Sequence, residues 1–188
     1  VSAADGTAVI DNMKLQNSTP YGISVKIFEN GVAYIRNTTS ESTLGGGAVA
    51  AGGTVNLYDN IFTQTGYYDH NSVNIAASNG GTANVYSGTY TSENFGLYVF
   101  NSGATINVYG GNFTAERAVL KADKSTNPDV PSVINVSGGT FDGVIQIGAG
   151  AVLNITGGTF SNTGLTLEAF SAYVSEGYMA SENGTGIY

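Results

Sequence analysis

The sequence predicts an all-β fold, a right-handed parallel β-helix of about seven rungs closed at its C-terminal end. Three observations carry this. A nine-residue unit, Val133-Ile134-Asn135-Val136-Ser137-Gly138-Gly139-Thr140-Phe141, returns almost intact as Val152-Leu153-Asn154-Ile155-Thr156-Gly157-Gly158-Thr159-Phe160, and earlier versions start at Thr105, Thr82 and Thr54. The central Asn recurs at intervals of 28, 23, 28 and 19 residues, from Asn56 through Asn84, Asn107 and Asn135 to Asn154. No segment sustains a helical period. A constant strand joined by loops of changing length is a coiling path, because a hairpin meander needs tight turns between neighbouring strands.

Taken in order, the first unit, Gly6 to Leu15, is degenerate, with Val9 where later units place Asn. Tyr21 to Phe28 alternates Ile23, Val25 and Ile27 against Ser24 and Lys26, the pattern of a half-buried strand. Asn30-Gly31 turns the chain. The second unit, Gly31 to Arg36, puts Tyr34 at the Asn position, which gives intervals of 22 back from Asn56 and 25 more to Val9. Leu44 to Gly53 is rich in Gly and Ala and reads as a tight corner. From Asn56 onward each interval also holds a second short strand: Ser72 to Ile75, Leu97 to Phe100, Ala118 to Lys121, Val144 to Ile147 and Leu165 to Leu167. The solenoid is thus expected over 1–167, with 1–52 degenerate, and 168–188 is expected to fold over the open end as a cap.

The pleat sorts each motif strand into two faces. Val55 and Leu57, Ala83 and Val85, Ile106 and Val108, Ile134 and Val136, and Leu153 and Ile155 form an aliphatic interior. Phe62, Tyr90, Phe113, Phe141 and Phe160 follow the glycine corner and are expected to turn back inside as an aromatic ladder. The opposite face carries Thr54, Asn56 and Tyr58, then Thr82, Asn84 and Tyr86, then Thr105, Asn107 and Tyr109, and points to solvent almost without charge.

Composition removes several function classes. Only 11% of the 188 residues are charged, the net charge is −8, and there are six Lys and Arg. Nucleic acid and anionic membrane surfaces both require clustered cations, so neither is an expected partner. No apolar run approaches about 18 residues, so no membrane insertion is expected. The absence of Cys rules out disulfides and thiolate metal sites, and the sequence offers no metal or cofactor motif. Low charge with many Gly, Asn, Thr, Ser and Tyr suits an extracellular or cell-surface protein. Opening at Val1 without Met, the chain reads as processed or as a fragment of something longer.

Three groups of residues are candidates for function. The Tyr row Tyr58, Tyr86 and Tyr109, with Asn56, Asn84 and Asn107 beside it, offers rings to stack on sugars and amides to bond them; the same Asn and Thr rows also stabilise a parallel sheet by side-chain ladders. Tyr also suits a protein contact, and the Thr rows of an ice-binding plane are disfavoured by the bulky Tyr row. Tyr67, Tyr68 and the single His, His70, form an aromatic loop beside Asp69, which reads as a contact surface because no nucleophile elbow accompanies it. Glu116, Arg117, Lys121 and Asp123, with Lys124 and Asp129, are the densest charges; a β-helix enzyme acting on polysaccharide needs clustered carboxylates or a basic residue to take a proton. A solvated mixed-charge loop is the plainer reading of that stretch.

The repeated V-N-V-x-G-G-T-F unit, ending in Ala172-Tyr173-Val174-Ser175-Glu176-Gly177-Tyr178 and then Asn183-Gly184-Thr185-Gly186-Ile187-Tyr188, resembles the right-handed parallel β-helix segments of large surface proteins of Gram-positive and gut bacteria. The resemblance covers Gly53 to Tyr188 and implies an adhesin-like protein; together with the residues above, the expected function is a non-enzymatic extracellular module, a stalk or adhesin segment of a bacterial surface protein, with a host or cell-wall glycan or another surface protein as the expected partner. Two alternatives stand beside it: a polysaccharide lyase or glycoside hydrolase on the same scaffold, and the subunit of an extracellular filament whose open first rung stacks on a neighbour.

Overall fold

The structure is a computed structural model describing residues 1–20, 22–67, 72–101, 103–125, 127, 129–183 and 186–187. The chain coils through seven turns, and each turn adds one parallel strand to each of three sheets. The motif sheet runs Gly6–Asp11, Gly31–Arg36, Thr54–Tyr58, Thr82–Val85, Thr105–Val108, Val133–Val136 and Val152–Ile155. The aromatic sheet runs Lys14–Asn17, Thr39–Ser42, Asn60–Gln64, Gly88–Ser92, Asn112–Ala115, Thr140–Asp142 and Thr159–Ser161. The third runs Ser2–Ala3, Ile23–Ile27, Gly46–Ala51, Val73–Ser78, Phe95–Phe100, Ala118–Ala122 and Ile145–Ile147.

The expected register holds through every turn. Val9 aligns with Tyr34, Tyr34 with Asn56, and Asn56 in turn with Asn84, Asn107, Asn135 and Asn154. Val55, Leu57, Ala83, Val85, Ile106, Val108, Ile134, Val136, Leu153 and Ile155 are all buried in one continuous core. The aromatic ladder is inside as expected: Tyr90, Phe113, Phe141 and Phe160 stack at 4.9, 4.9 and 4.8 Å, and Phe62 meets Tyr90 edge-on at 5.6 Å. The second glycine of each corner bends the chain; Gly111, Gly139 and Gly158 have φ of 113°, 106° and 115°, which favours a residue without Cβ.

Four expectations are corrected. The turn has three strands and not two, because the segment carrying the aromatic residue pairs with its neighbours on both sides. The small-residue stretch from Leu44 to Gly53 is no corner but holds the buried strand Gly46–Ala51. Small side chains are needed there: a Cβ on Gly47 would lie 2.5 Å from the Asn74 carbonyl and 2.7 Å from the Phe62 ring. Strict alternation fails in Ile23–Ile27, where Ser24 is buried and accepts from Ser40 Oγ at 3.0 Å while Ile23 packs against an outer apolar cluster. Finally, Leu165 to Leu167 forms no strand, because Thr166 accepts from the Ala169 amide at 3.2 Å and caps a helix, Leu167–Ser171.

That helix begins the cap. Phe170 is buried and extends the ladder, 4.9 Å from Phe160 and tilted by 62°. The Ile155 amide donates to Tyr173 O and the Ser175 amide to Ile155 O, each at 2.9 Å, so the cap occupies the edge of the last motif strand. The hairpin Glu182–Asn183 and Gly186–Ile187 pairs antiparallel on Thr159–Ser161. Two of the three sheets therefore end on cap backbone, which protects edges that would otherwise template pairing. Among the described residues no helix is long and apolar enough to cross a membrane.

Candidate functional site

The outer face of the motif sheet is built by register alone. Each Asn Nδ2 donates to the Oδ1 one rung earlier: Asn84 to Asn56 at 3.0 Å, Asn107 to Asn84 at 2.9 Å, Asn135 to Asn107 at 2.8 Å and Asn154 to Asn135 at 2.9 Å. Asn56 closes the top by donating to Ala33 O at 3.3 Å. The amides expected to bind a ligand are thus bonded mainly to each other. The ladder has a direction, and it ends at Asn154 Oδ1, which accepts no bond among the described residues.

The Tyr row beside it is a stack. Tyr58 and Tyr86 lie 4.5 Å apart with planes 2° from parallel, and Tyr86 and Tyr109 4.8 Å apart at 13°. Arg36, which aligns with Tyr58 one rung earlier, holds its guanidinium 5.6 Å from the Tyr58 ring and 5.5 Å from Tyr34. Desolvation in this stack, and then the neighbouring Tyr58, raise the Tyr86 phenol above the usual tyrosine value. Both faces of Tyr58 and Tyr86 are therefore occupied, and Tyr109, 50% exposed, has a ring on one face only among the described residues.

A second cluster lies on the outer face of the third sheet, and it joins candidates that are far apart in sequence. The Arg117 guanidinium sits 4.9 Å from the Tyr67 ring and 5.1 Å from Phe95, and Lys121 Nζ lies 4.8 Å from Phe95 and 5.2 Å from Tyr98. Asp123 binds Lys121 at 3.4 Å and accepts the Tyr98 hydroxyl. Underneath is an apolar patch of Val49, Ala76, Phe95, Tyr98 and Ala118 with Phe100 against it. Sequence reasoning missed this patch. The signal was there: Gly46–Ala51, Val73–Ser78 and Phe95–Phe100 are nearly continuous apolar runs, the mark of strands covered on both faces. Tyr68 and His70, with Asp69, lie outside the described residues.

Glu116 does not join that cluster. It lines a separate groove with Thr114, Asp142 and Asn162, where Asp142 accepts from Ser161 Oγ at 2.9 Å and Asn162 Nδ2 at 2.6 Å. Lys121 belongs to the strand Ala118–Ala122, so the charged stretch is in part sheet, with Glu116 and Arg117 at the corner before it. Among the described residues no three His, Asp or Glu are grouped as a metal ion would need.

These features define a parallel β-solenoid with a self-bonded polar face, a cation-aromatic cluster on the third sheet and a C-terminal cap over two of its three sheets. Compared with known protein families, curated proteins and solved structures, the chain matches none.

Proposed function

We propose that the chain is a non-enzymatic segment of a bacterial cell-surface protein, a stalk or adhesin-like rod that contacts glycan. One observation carries this reading: the Asn and Tyr side chains on the outer face of the motif sheet bond to and stack on one another across successive rungs. Such a face stiffens a column and resists exchange of its polar groups, which is what a load-bearing outer segment needs. The low charge and the resemblance of the repeat and closing segment to bacterial surface β-helices support the same reading.

The second reading, a polysaccharide-cleaving enzyme, rests on Glu116 and Asp142 lining one groove, since glycoside hydrolysis uses a pair of carboxyl groups. The filament reading needs stacking edges at both ends, and the cap covers most of one. The test is to incubate the chain with insoluble and soluble polysaccharides and follow retention and new reducing ends together. Retention without release is expected. Release that Glu116→Gln abolishes would overturn the reading in favour of the enzyme.

A further inference from the structure

The Tyr column stops partway down its face. After Tyr58, Tyr86 and Tyr109, the same row continues as Ser137 and Thr156, so two rungs of small side chains follow the last ring. Two rungs leave a step about 10 Å tall. Its upper wall is the open face of Tyr109, on which no ring or cation stacks among the described residues. Its floor lies low, because Ser137 Oγ donates to Val108 O at 3.1 Å and Thr156 Oγ1 to Val136 O at 3.3 Å. Beside the floor is the end of the Asn ladder, Asn154 Oδ1, which accepts no bond among the described residues. Below Thr156 the row continues as Ser175 of the cap, and Thr156 also lines a cleft of about 270 Å³ with the cap residues Tyr178 and Met179, which are 55% and 93% exposed.

We propose that this step is a binding site for the ring of a neutral saccharide, seated with its C–H face on Tyr109 and its hydroxyl edge on Ser137, Thr156 and Asn154. The proposal rests on the glycan-contacting role above and gives it a location. The chemistry of the walls selects the ligand. The wall above is aromatic, whereas the floor offers hydroxyl oxygens as acceptors at each rung. A pyranose has that division, with C–H faces and a hydroxyl rim. None of these six side chains carries a charge at neutral pH, so nothing here favours an acidic sugar. A saturated ring is about one rung thick, so it continues the column in the tier below Tyr109. A charged ligand would find its partners at Arg117 and Lys121 on a different sheet.

The test titrates the full chain with cellotetraose, β-1,4-galactotetraose and chitotetraose, read by nuclear magnetic resonance of the tyrosine rings. At least one probe is expected to shift Tyr109. Ser137→Tyr adds the next ring to the column, so it fills the site while the fold and its urea midpoint are kept. It is expected to weaken binding about tenfold or more, as is Tyr109→Ala, in keeping with the loss of one aromatic contact and its neighbours. Arg36→Gln, at the closed end of the column, is expected to leave affinity unchanged. If none of the three probes shifts Tyr109, the proposal is overturned. If a probe binds and Ser137→Tyr binds it equally, the site falls while the surface-rod reading stands; turnover of the probe would instead remove that reading.

Discussion

Asn107 donates its side-chain amide to Asn84 Oδ1 at 2.9 Å, a partner 23 residues away in sequence and one rung away in space. It also accepts from Asn135 at 2.8 Å, so each interior member of the ladder holds two bonds. Asn107→Ala breaks both and strands a donor and an acceptor on half-buried neighbours, at a cost of about 1–3 kcal/mol. Asn154→Ala breaks one bond at the exposed end and should cost roughly half as much. Urea unfolding of the two variants gives the comparison, and equal losses would mean that the ladder adds nothing to the sheet.

Tyr90 predicts an alkaline weakness. Burial raises its phenol far above the ordinary tyrosine value, and its hydroxyl donates to Ser87 O at 2.8 Å. An acid whose folded pKa is raised holds its proton longer when folded than when unfolded. The stability it contributes is complete below about pH 10, the unfolded value, and is lost as pH rises above it. Tyr90→Phe matches the other rungs of the ladder and should cost about 1 kcal/mol near neutrality for the lost bond. It should also flatten the fall in melting temperature between about pH 10 and 12. An unchanged alkaline slope would contradict the assignment.

Gly139→Ala should be among the more damaging single-methyl changes. The residue holds φ at 106°, and an added Cβ would lie 2.9 Å from Gly111 O on the rung before. Strain of this kind costs about 1–3 kcal/mol, and the contact adds to it. Calorimetry should find a lower melting temperature with the β spectrum kept.

Asn74 should respond in the other direction. It is buried in the third sheet, and neither its amide nitrogen nor its oxygen has a partner among the described residues. Val119 fills the same inward row two rungs later, where the core accepts an aliphatic side chain. Asn74→Val should therefore raise stability by about 1 kcal/mol, because it removes an unsatisfied buried amide. A loss in urea midpoint would point to a buried water that the amide holds.

Much of this column was legible because the motif strand obeys a period of two. Ile134 and Val136 alternate with Asn135 so regularly that register, interior and outer rows all follow from reading one strand and counting to the next. The third sheet hid itself because its outward positions, such as Val49, Ala76 and Tyr98, are as apolar as its inward ones, and a strand without alternation resembles a corner when it is made of Gly and Ala. The helix at Leu167 was hidden by its length, since five residues cannot establish a period. The site was legible in composition and not in geometry. Sequence placed three tyrosines in a row, but only spacing of 4.5 and 4.8 Å reveals that two of them cover each other and leave Tyr109 as the open ring. Likewise nothing local links Tyr67 to Arg117, which the coil brings to 4.9 Å.

The most direct test of the account is a residue-by-residue chemical-shift map of the full chain with a saturating oligosaccharide that it retains. If the outer face is scaffold down to Tyr109 and a binding surface below it, the shifts divide at that ring. Shifts should concentrate on Tyr109, Ser137, Asn154, Thr156 and Tyr178, with Asn56, Asn84 and Tyr58 unmoved. Shifts centred on the Tyr58–Asn84 rungs, on Arg117 and Lys121, or on the Glu116–Asp142 groove would contradict it.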